Sequence, residues 1–294
     1  MPARIPVLLD TDIGSDIDDA VALAYLLRQP RCDLLGITTV TGEVAKRCAI
    51  AAAVCRAAGR TDIPIHAGAP HPILHGMTQP EAPQYAALAG RPHRADWPQG
   101  TALEFLRTTI RARPGEITLL SIGSFTNVAL LFAADPEIPS LLGGFVSMAG
   151  NFFGHPWGAE WNCRLDTVAA AAVLRAGVAG HRLVGLNVTT LCQLAAAEVK
   201  AKFVPPPLDE VRLLAEVWFG KNQLMTFHDP LAAVTIFEPE VCGWEAGTVT
   251  GDPGPEAGAT GGGALTLVPG AGPHRVAKSV EAKKFFESYF RVFR

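Results

Sequence analysis

The chain has 294 residues, 49% of them hydrophobic and 18% charged, with a formal net charge of −3. That balance suits a large buried core and gives no footing for nucleic acid or an anionic membrane as partner, so a polar small molecule is the expected ligand. No uninterrupted apolar segment of about 18 residues occurs, and the opening apolar run is too short for a signal peptide, so the cytoplasm is the expected location.

In chain order, residues 5–9 predict a buried strand and residues 18–27 a helix. The turn between them, in the run DTDIGSDIDDA, carries five aspartates within ten residues: Asp10, Asp12, Asp16, Asp18 and Asp19. So many carboxylates at a strand-to-helix turn repel one another strongly unless a cation or a proton neutralises them, so the turn is expected to hold a hard metal ion. Residues 33–39 predict a strand, 44–58 an Ala-rich helix ended by Gly59, and 63–65 a short strand. The stretch 66–99 is rich in Pro, His and Gly and reads as a functional loop rather than a linker. A helix over 101–111, a strand over 117–122, a helix over 126–132 and a strand over 145–149 follow. A loop then runs over 150–162, a helix over 167–175 and a strand over 182–186. Continuous apolar strands alternating with helices predict an α/β fold with an open, mostly parallel sheet covered on both faces. Such sheets bind ligands at the carboxyl ends of their strands, which is where the polar clusters lie. The last third is less regular. A helical region over 209–224 leads into FHDPLAAV, and the Gly-rich 247–272 reads as a loose hairpin or mobile loop. A strand over 276–280 and a helix over 282–293 close the chain. With no repeat and no linker, residues 1–294 are expected to form one domain.

The six cysteines (Cys32, Cys48, Cys55, Cys163, Cys192 and Cys242) include no CxxC pair and are expected to be reduced and structural. Three other readings account for less of the acidic run. An EF-hand loop fails at two fixed positions, where Ser15 stands for Gly and Val21 for Glu. An Asp-nucleophile phosphatase starting at Asp10 and Asp12 has Gly14 where Thr is required. A solvated turn with capping carboxylates accounts for one or two aspartates, Asp16 first among them, but not for five. Downstream, His228-Asp229-Pro230 offers a proton donor beside a carboxylate, against the plainer reading of an Asp-Pro turn. Glu160-Trp161-Asn162 offers a carboxylate and an amide for vicinal hydroxyls beside an aromatic platform. Asn127 reads as a helix N-terminal residue. His66, His71, His75 and His93 lack zinc spacing and are taken as loop residues.

These clusters, in the order VLLDTDIGSDIDDAVAL, LLGITTVTGE, IPIHAGAP, ITLLSIGSFTNVAL, FVSMAGN, AEWNCRLDTVAAA and FHDPLAAV, resemble the inosine-uridine preferring nucleoside hydrolase family. The resemblance implies a Rossmann-like nucleoside hydrolase fold, Ca2+, a homodimer or homotetramer, and a place in purine or pyrimidine salvage. It implies hydrolysis of the N-glycosidic bond of ribonucleosides to ribose and free base through metal-bound water and an oxocarbenium-like transition state. Asp12, Asp19 (bidentate), the backbone carbonyl of Ile122, and Asp229 would be the metal ligands, with Asp10 in support. Asp12 would also take a proton from water, and His228 would protonate the leaving base. Asp18, Glu43, Asn151, Glu160 and Asn162 would hold the sugar. Oxygen-only ligands agree with Ca2+ or Mg2+ rather than zinc. The chain departs from the family pattern in four places. The acidic turn is two residues longer than DxDxGxDD, which leaves Asp16 able to replace Asp18 or Asp19. Glu43 stands where many members have Asn. The loop 150–159 is short, so Asn151 is the assignment for a further sugar-binding Asn. Beyond His75-Gly76 the 66–99 segment lacks the family signature. A nucleoside- or ribose-binding homologue without catalysis is the alternative these departures suggest.

Overall fold

The computed structural model describes residues 4–74, 76, 78–254 and 262–294. The chain begins with β1 (Ile5–Thr11), α1 (Asp18–Arg28), β2 (Cys32–Thr39), α2 (Val44–Ala57) and β3 (Ile65–Ala67). After a 3-10 turn at Pro83–Leu88 come α3 (Ala102–Ala112), β4 (Thr118–Ser121), α4 (Thr126–Ala134), α5 (Ile138–Leu141) and β5 (Gly144–Met148). The next elements are α6 (Trp161–Leu165), α7 (Thr167–Arg175), β6 (His181–Val184), α8 (Leu186–Thr189), β7 (Gln193–Ala195) and α9 (Ala196–Lys202). The last are α10 (Leu208–Phe219), β8 (Leu224–Thr226), α11 (His228–Phe237), β9 (Cys242–Gly251), β10 (Leu265–Pro269), β11 (His274–Val280) and α12 (Ala282–Arg291).

A nine-stranded sheet has the order β10-β9-β11-β6-β5-β4-β1-β2-β3. Strands β3, β2, β1, β4, β5, β6 and β11 run parallel, and β9 and β10 are antiparallel additions at one end. The α/β architecture is therefore the one the sequence predicts. Parallel strands need helical crossovers, which bury both faces, and this is why β1 reads as an unbroken apolar run rather than an alternating one. Val7, Leu8 and Leu9 are wholly buried and lie in cores on opposite faces, Val7 and Leu9 on one and Leu8 on the other. Each contributes about 1.5–3 kcal/mol of transfer free energy. The strand order reverses at β1: β2 and β3 lie on one side, and β4, β5 and β6 on the other. A crevice opens at such a reversal, at the carboxyl end of the strands.

Most predicted elements agree within two residues. The predicted helix over 209–224 ends at Phe219, because Gly220 follows and Leu224–Thr226 pairs with Gln193–Ala195 in a separate two-stranded sheet. The strand predicted over 182–186 stops at Val184, and Leu186 opens α8. The Gly-rich stretch does contain a hairpin, since β9 and β10 pair antiparallel, and residues 255–261 of that stretch lie outside the described residues. All six cysteines are free and buried. Among the described residues no helix is long and apolar enough to cross a membrane.

Candidate active site

Asp10 and Thr11 end β1, Asp12 to Ile17 form the turn, and Asp18 opens α1. The turn needs Gly14: its φ is +118°, and a Cβ there would sit 2.7 Å from Ile50 Cδ1. Asp18 and Asp19 occupy the first turn of α1, where unpaired backbone N–H groups and the helix dipole favour negative charge. Asp229 occupies the equivalent place in α11, which packs against α1. The two helix starts meet: the Asp229 backbone N–H donates to Asp18 Oδ2 at 3.0 Å. Asp18, Asp19 and Asp229 are each buried and offer oxygens that all lie within 4.8 Å of one another. Thr11 Oγ1 donates to Asp19 Oδ1 and so fixes one oxygen of that carboxylate.

Burial raises the pKa of Asp12, Asp18, Asp19 and Asp229, and the neighbouring carboxylates raise the last three further. Asp16 is pushed to about 6 by the same burial. A set of buried acidic oxygens that are costly to ionise together is the donor set of a hard, oxygen-loving cation, so the residues present fit a calcium or magnesium ion.

Asp12, Asp16, Asp18, Asp19 and Asp229 line a cavity of about 350 Å³, within the usual size range for a small-molecule site. Ile122 and Met148, just past β4 and at the end of β5, also line it, together with Leu186, Trp218, Trp161 and Gln79. Asn162 reaches in from α6 and donates from Nδ2 to the carbonyls of Ile122 and Met148, each at 3.1 Å. Glu160 caps α6: its carboxylate accepts from the backbone of Asn162 at 2.7 Å, Cys163 at 3.1 Å and Gly150 at 3.3 Å. Burial pushes Glu160 up to about 6 despite these bonds. His228 faces the cavity with Nδ1 engaged by Thr189 Oγ1 at 2.7 Å, which leaves Nε2 for a ligand. Burial lowers its pKa to about 4, so the ring is neutral at pH 7.

The structure thus brings together Asp12, Asp16, Asp18, Asp19, Ile122, Glu160, Asn162, His228 and Asp229 from segments spread over more than 200 positions. Asp18 stands in the carboxylate cluster itself, alongside Asp19 and Asp229. Glu43 and Asn151 do not line the cavity. Glu43 accepts from the Ala82 backbone at 3.1 Å and pairs with Lys46 at 2.5 Å, while the Asn151 amide closes its own loop on the carbonyls of His155 and Gly158. Asp10 does not line the cavity: Thr38 and Asn127 donate to its Oδ1 at 2.5 and 2.7 Å. Burial pushes it to about 7. A wholly buried Asp10 that does not line the cavity is not placed to act as a phosphatase nucleophile. His66, His71 and His93 do not line the cavity, and His75 lies outside the described residues.

Sequence reasoning missed several residues. Asn127 opens α4 as expected, but its amide also ties Asp10 to β2 and the 68–69 loop. Gln79 and Trp218 line the cavity from segments whose patterns carry no chemical signal, and Thr189 orients His228 from a helix too short to predict.

A family model described as inosine-uridine preferring nucleoside hydrolase matches residues 7–287. Uridine nucleosidase 1 of Arabidopsis thaliana is 29% identical over 265 residues, covering 83% of this chain and 77% of that protein. The pyrimidine-specific ribonucleoside hydrolase RihA of Salmonella paratyphi A is 29% identical over 261 residues, covering 81% of each chain. Among solved structures, a plant nucleoside hydrolase superposes with a TM-score of 0.84 at 22% identity over 99% of both chains. A purine-preferring ribonucleoside hydrolase from Gardnerella vaginalis superposes with a TM-score of 0.82 at 20% identity over 98% of both. At these identities the structures establish the likeness of fold.

Proposed function

The chain belongs to the inosine-uridine preferring nucleoside hydrolase family, and we propose that it depends on calcium, held by Asp12, Asp19, Asp229 and the backbone carbonyl of Ile122. It is an N-ribohydrolase that cleaves the N-glycosidic bond of ribonucleosides with water to give ribose and free base. The observation that carries the metal reading is the convergence of buried oxygens from Asp18, Asp19 and Asp229 in the cavity that Asp12 also lines. When bound, such an ion neutralises the carboxylates, attracts the ribose hydroxyls and acidifies water.

The chain's own residues supply the rest. Asp12 takes the proton of the attacking water. Asp18, Glu160 and Asn162 hold the ribose hydroxyls, with Glu160 and Asn162 fixed in place by the hydrogen bonds that cap α6 and span β4 and β5. As the base departs, positive charge develops on the ribosyl group, and the surrounding carboxylates stabilise it. With Nδ1 engaged by Thr189, the neutral His228 ring offers Nε2–H to the leaving base as a hydrogen-bond donor that stabilises the charge building there, and the base takes its proton from water. Glu43 and Asn151 take no part in this reading, because their side chains serve local structure. A homodimer or homotetramer, checked by light scattering, and residence in the cytoplasm belong to the same proposal; six buried free thiols suit a reducing compartment.

The test is a panel of uridine, cytidine, inosine, adenosine and p-nitrophenyl riboside, assayed for free base with EDTA and with Ca2+. Turnover of at least one natural nucleoside, abolished by EDTA and restored by Ca2+, is expected. No turnover of any riboside with Ca2+ present overturns the reading.

A further inference from the structure

Gln79 lines the cavity from residues 79–81, a segment that forms neither helix nor strand and so takes its support from outside. Arg47 provides it. This side chain is wholly buried, and no carboxylate among the described residues pairs with it. Its donors go instead to oxygens of the acidic turn and the facing segment. Nη1 reaches the carbonyls of Asp12 and Ile13 and the Ser15 hydroxyl, the last two at 3.1 and 3.0 Å. Nη2 reaches the carbonyls of Gln79 and Glu81 at 3.3 and 3.2 Å, and Nε that of Thr41 at 2.6 Å. Gly42, at φ +62°, lets the segment pass: a Cβ there would lie 2.4 Å from the carbonyl oxygens of both Gln79 and Pro80.

The brace delivers the Gln79 side chain to the cavity. Gln79 Nε2 donates to Asp12 Oδ2 at 2.6 Å, and Gln79 Oε1 accepts from Trp161 Nε1 at 2.6 Å. The amide has only one workable direction. An indole N–H can only donate and an ionised carboxylate can only accept, so the Gln79 oxygen must face Trp161 and its NH2 must face Asp12.

We propose that Gln79 is a positioning residue for Asp12, and that Trp161 fixes the direction in which its amide points. The bond occupies Asp12 Oδ2 and holds the carboxylate plane, so that the other oxygen faces the reacting water in one orientation. The proposal rests on the reading of Asp12 as the proton acceptor.

The experiment compares Gln79→Met, Trp161→Phe, their double variant and Asp12→Asn by steady-state kinetics on a nucleoside the wild type turns over, with Ca2+ affinity by calorimetry and melting temperature. Gln79→Met keeps the side-chain length but removes both hydrogen bonds, and it should lower kcat by about 10–100-fold with KM within about threefold, the scale of a misaligned catalytic group. Its Ca2+ dissociation constant should rise by no more than about tenfold, far less than the 100-fold or more expected of Asp12→Asn, because the Asp12 ligand is retained and only its orientation is freed. Trp161→Phe keeps the ring and removes the N–H. It should lower kcat less, and it should add nothing in the Gln79→Met background, since both act through one amide. An unchanged kcat in Gln79→Met, additive losses in the double variant, or a loss of Ca2+ affinity in Gln79→Met as large as that of Asp12→Asn would each overturn the proposal. Asp12→Asn separates the premise: if it retains full kcat, the proton-acceptor reading fails instead.

Discussion

Arg47→Met is the most informative single perturbation of this site. Arg47 is wholly buried, and the carbonyls of Asp12 and Ile13 that it serves lie in buried surroundings. A methionine fills much of the same volume but donates nothing. Stranding a buried carbonyl costs about 1–3 kcal/mol, so two of them, with partial losses at Thr41, Gln79 and Glu81, sum to roughly 3–5 kcal/mol. Breaking other buried charged contacts costs about the same. For a chain of this length about 1 kcal/mol moves the melting temperature by roughly 2–4 °C, so a fall of about 6–20 °C is expected. The guanidinium also lies within electrostatic reach of Asp12 and Asp19, so its removal leaves the carboxylates more repulsive. The fall should therefore be larger in EDTA than in saturating Ca2+, where bound cation replaces part of the lost charge. Arg47→Lys keeps the charge but not the planar fork, and should recover less than half of the loss in EDTA. Calorimetric melts of the three proteins in both conditions check this. A fall below about 3 °C would refute the bracing argument. An equal fall with and without Ca2+ would refute its electrostatic part.

Asp229→Asn and Asp12→Asn should each weaken Ca2+ binding by at least about 100-fold by calorimetry, since each removes a charged ligand from a small set; unchanged affinity in either excludes that residue as a ligand. Protons compete with the cation, because burial raises the pKa of Asp12, Asp18, Asp19 and Asp229 and mutual repulsion raises the last three further. Ca2+ affinity should thus fall steadily from pH 8 to pH 6, with protons released on binding at pH 7, and a flat profile would contradict it. The raised values of Asp10, about 7, and Asp16, about 6, set the sign for the metal-free protein. A carboxyl whose folded pKa lies above its unfolded value of about 4 loses stabilisation as pH rises from the unfolded to the folded value, so the melting temperature in EDTA should drop between about pH 4.5 and pH 7 and level off above about pH 7.5. His228→Ala should slow natural nucleosides by about 10²–10³-fold and p-nitrophenyl riboside far less, because a good leaving group needs no such donor; equal losses on both would remove the donor role.

The sequence exposes what is costly where it stands and conceals what is satisfied from afar. Five aspartates after an apolar strand are expensive locally, so Asp12, Asp18 and Asp19 could be read as a site before any contact was known. The long apolar strands were equally legible, because a run such as IPVLL has no soluble alternative. Arg47 was not. On an Ala-rich helix that also carries Lys46 and Arg56, Arg47 looks like one more solvated charge, and only the fold reveals that its donors face the acidic turn and the 79–81 segment. His228-Asp229-Pro230 was legible as chemistry but misleading as structure. Its proline suggests a turn, yet Pro230 sits in the first turn of α11, where a missing N–H costs nothing. The three-residue strands β7 and β8 were invisible because they are too short for any period to register.

The two-residue extension of the acidic turn is the point where these levels meet. A longer turn at a buried, charged place would be free to wander unless something outside it supplied bonds. Here Ser15 donates to the Glu81 carbonyl at 3.1 Å, and the amide of the buried Gln84 reaches the carbonyls of Ser15 and Asp16 at 3.2 and 2.8 Å. Arg47 joins both sides. The extension and the 79–84 segment therefore constrain each other. Glu43 serves the same joint through the Ala82 backbone. The carboxylate read as a changed sugar ligand is better understood as part of this brace, and the amide that touches Asp12 is that of Gln79, brought in from the segment the brace supports.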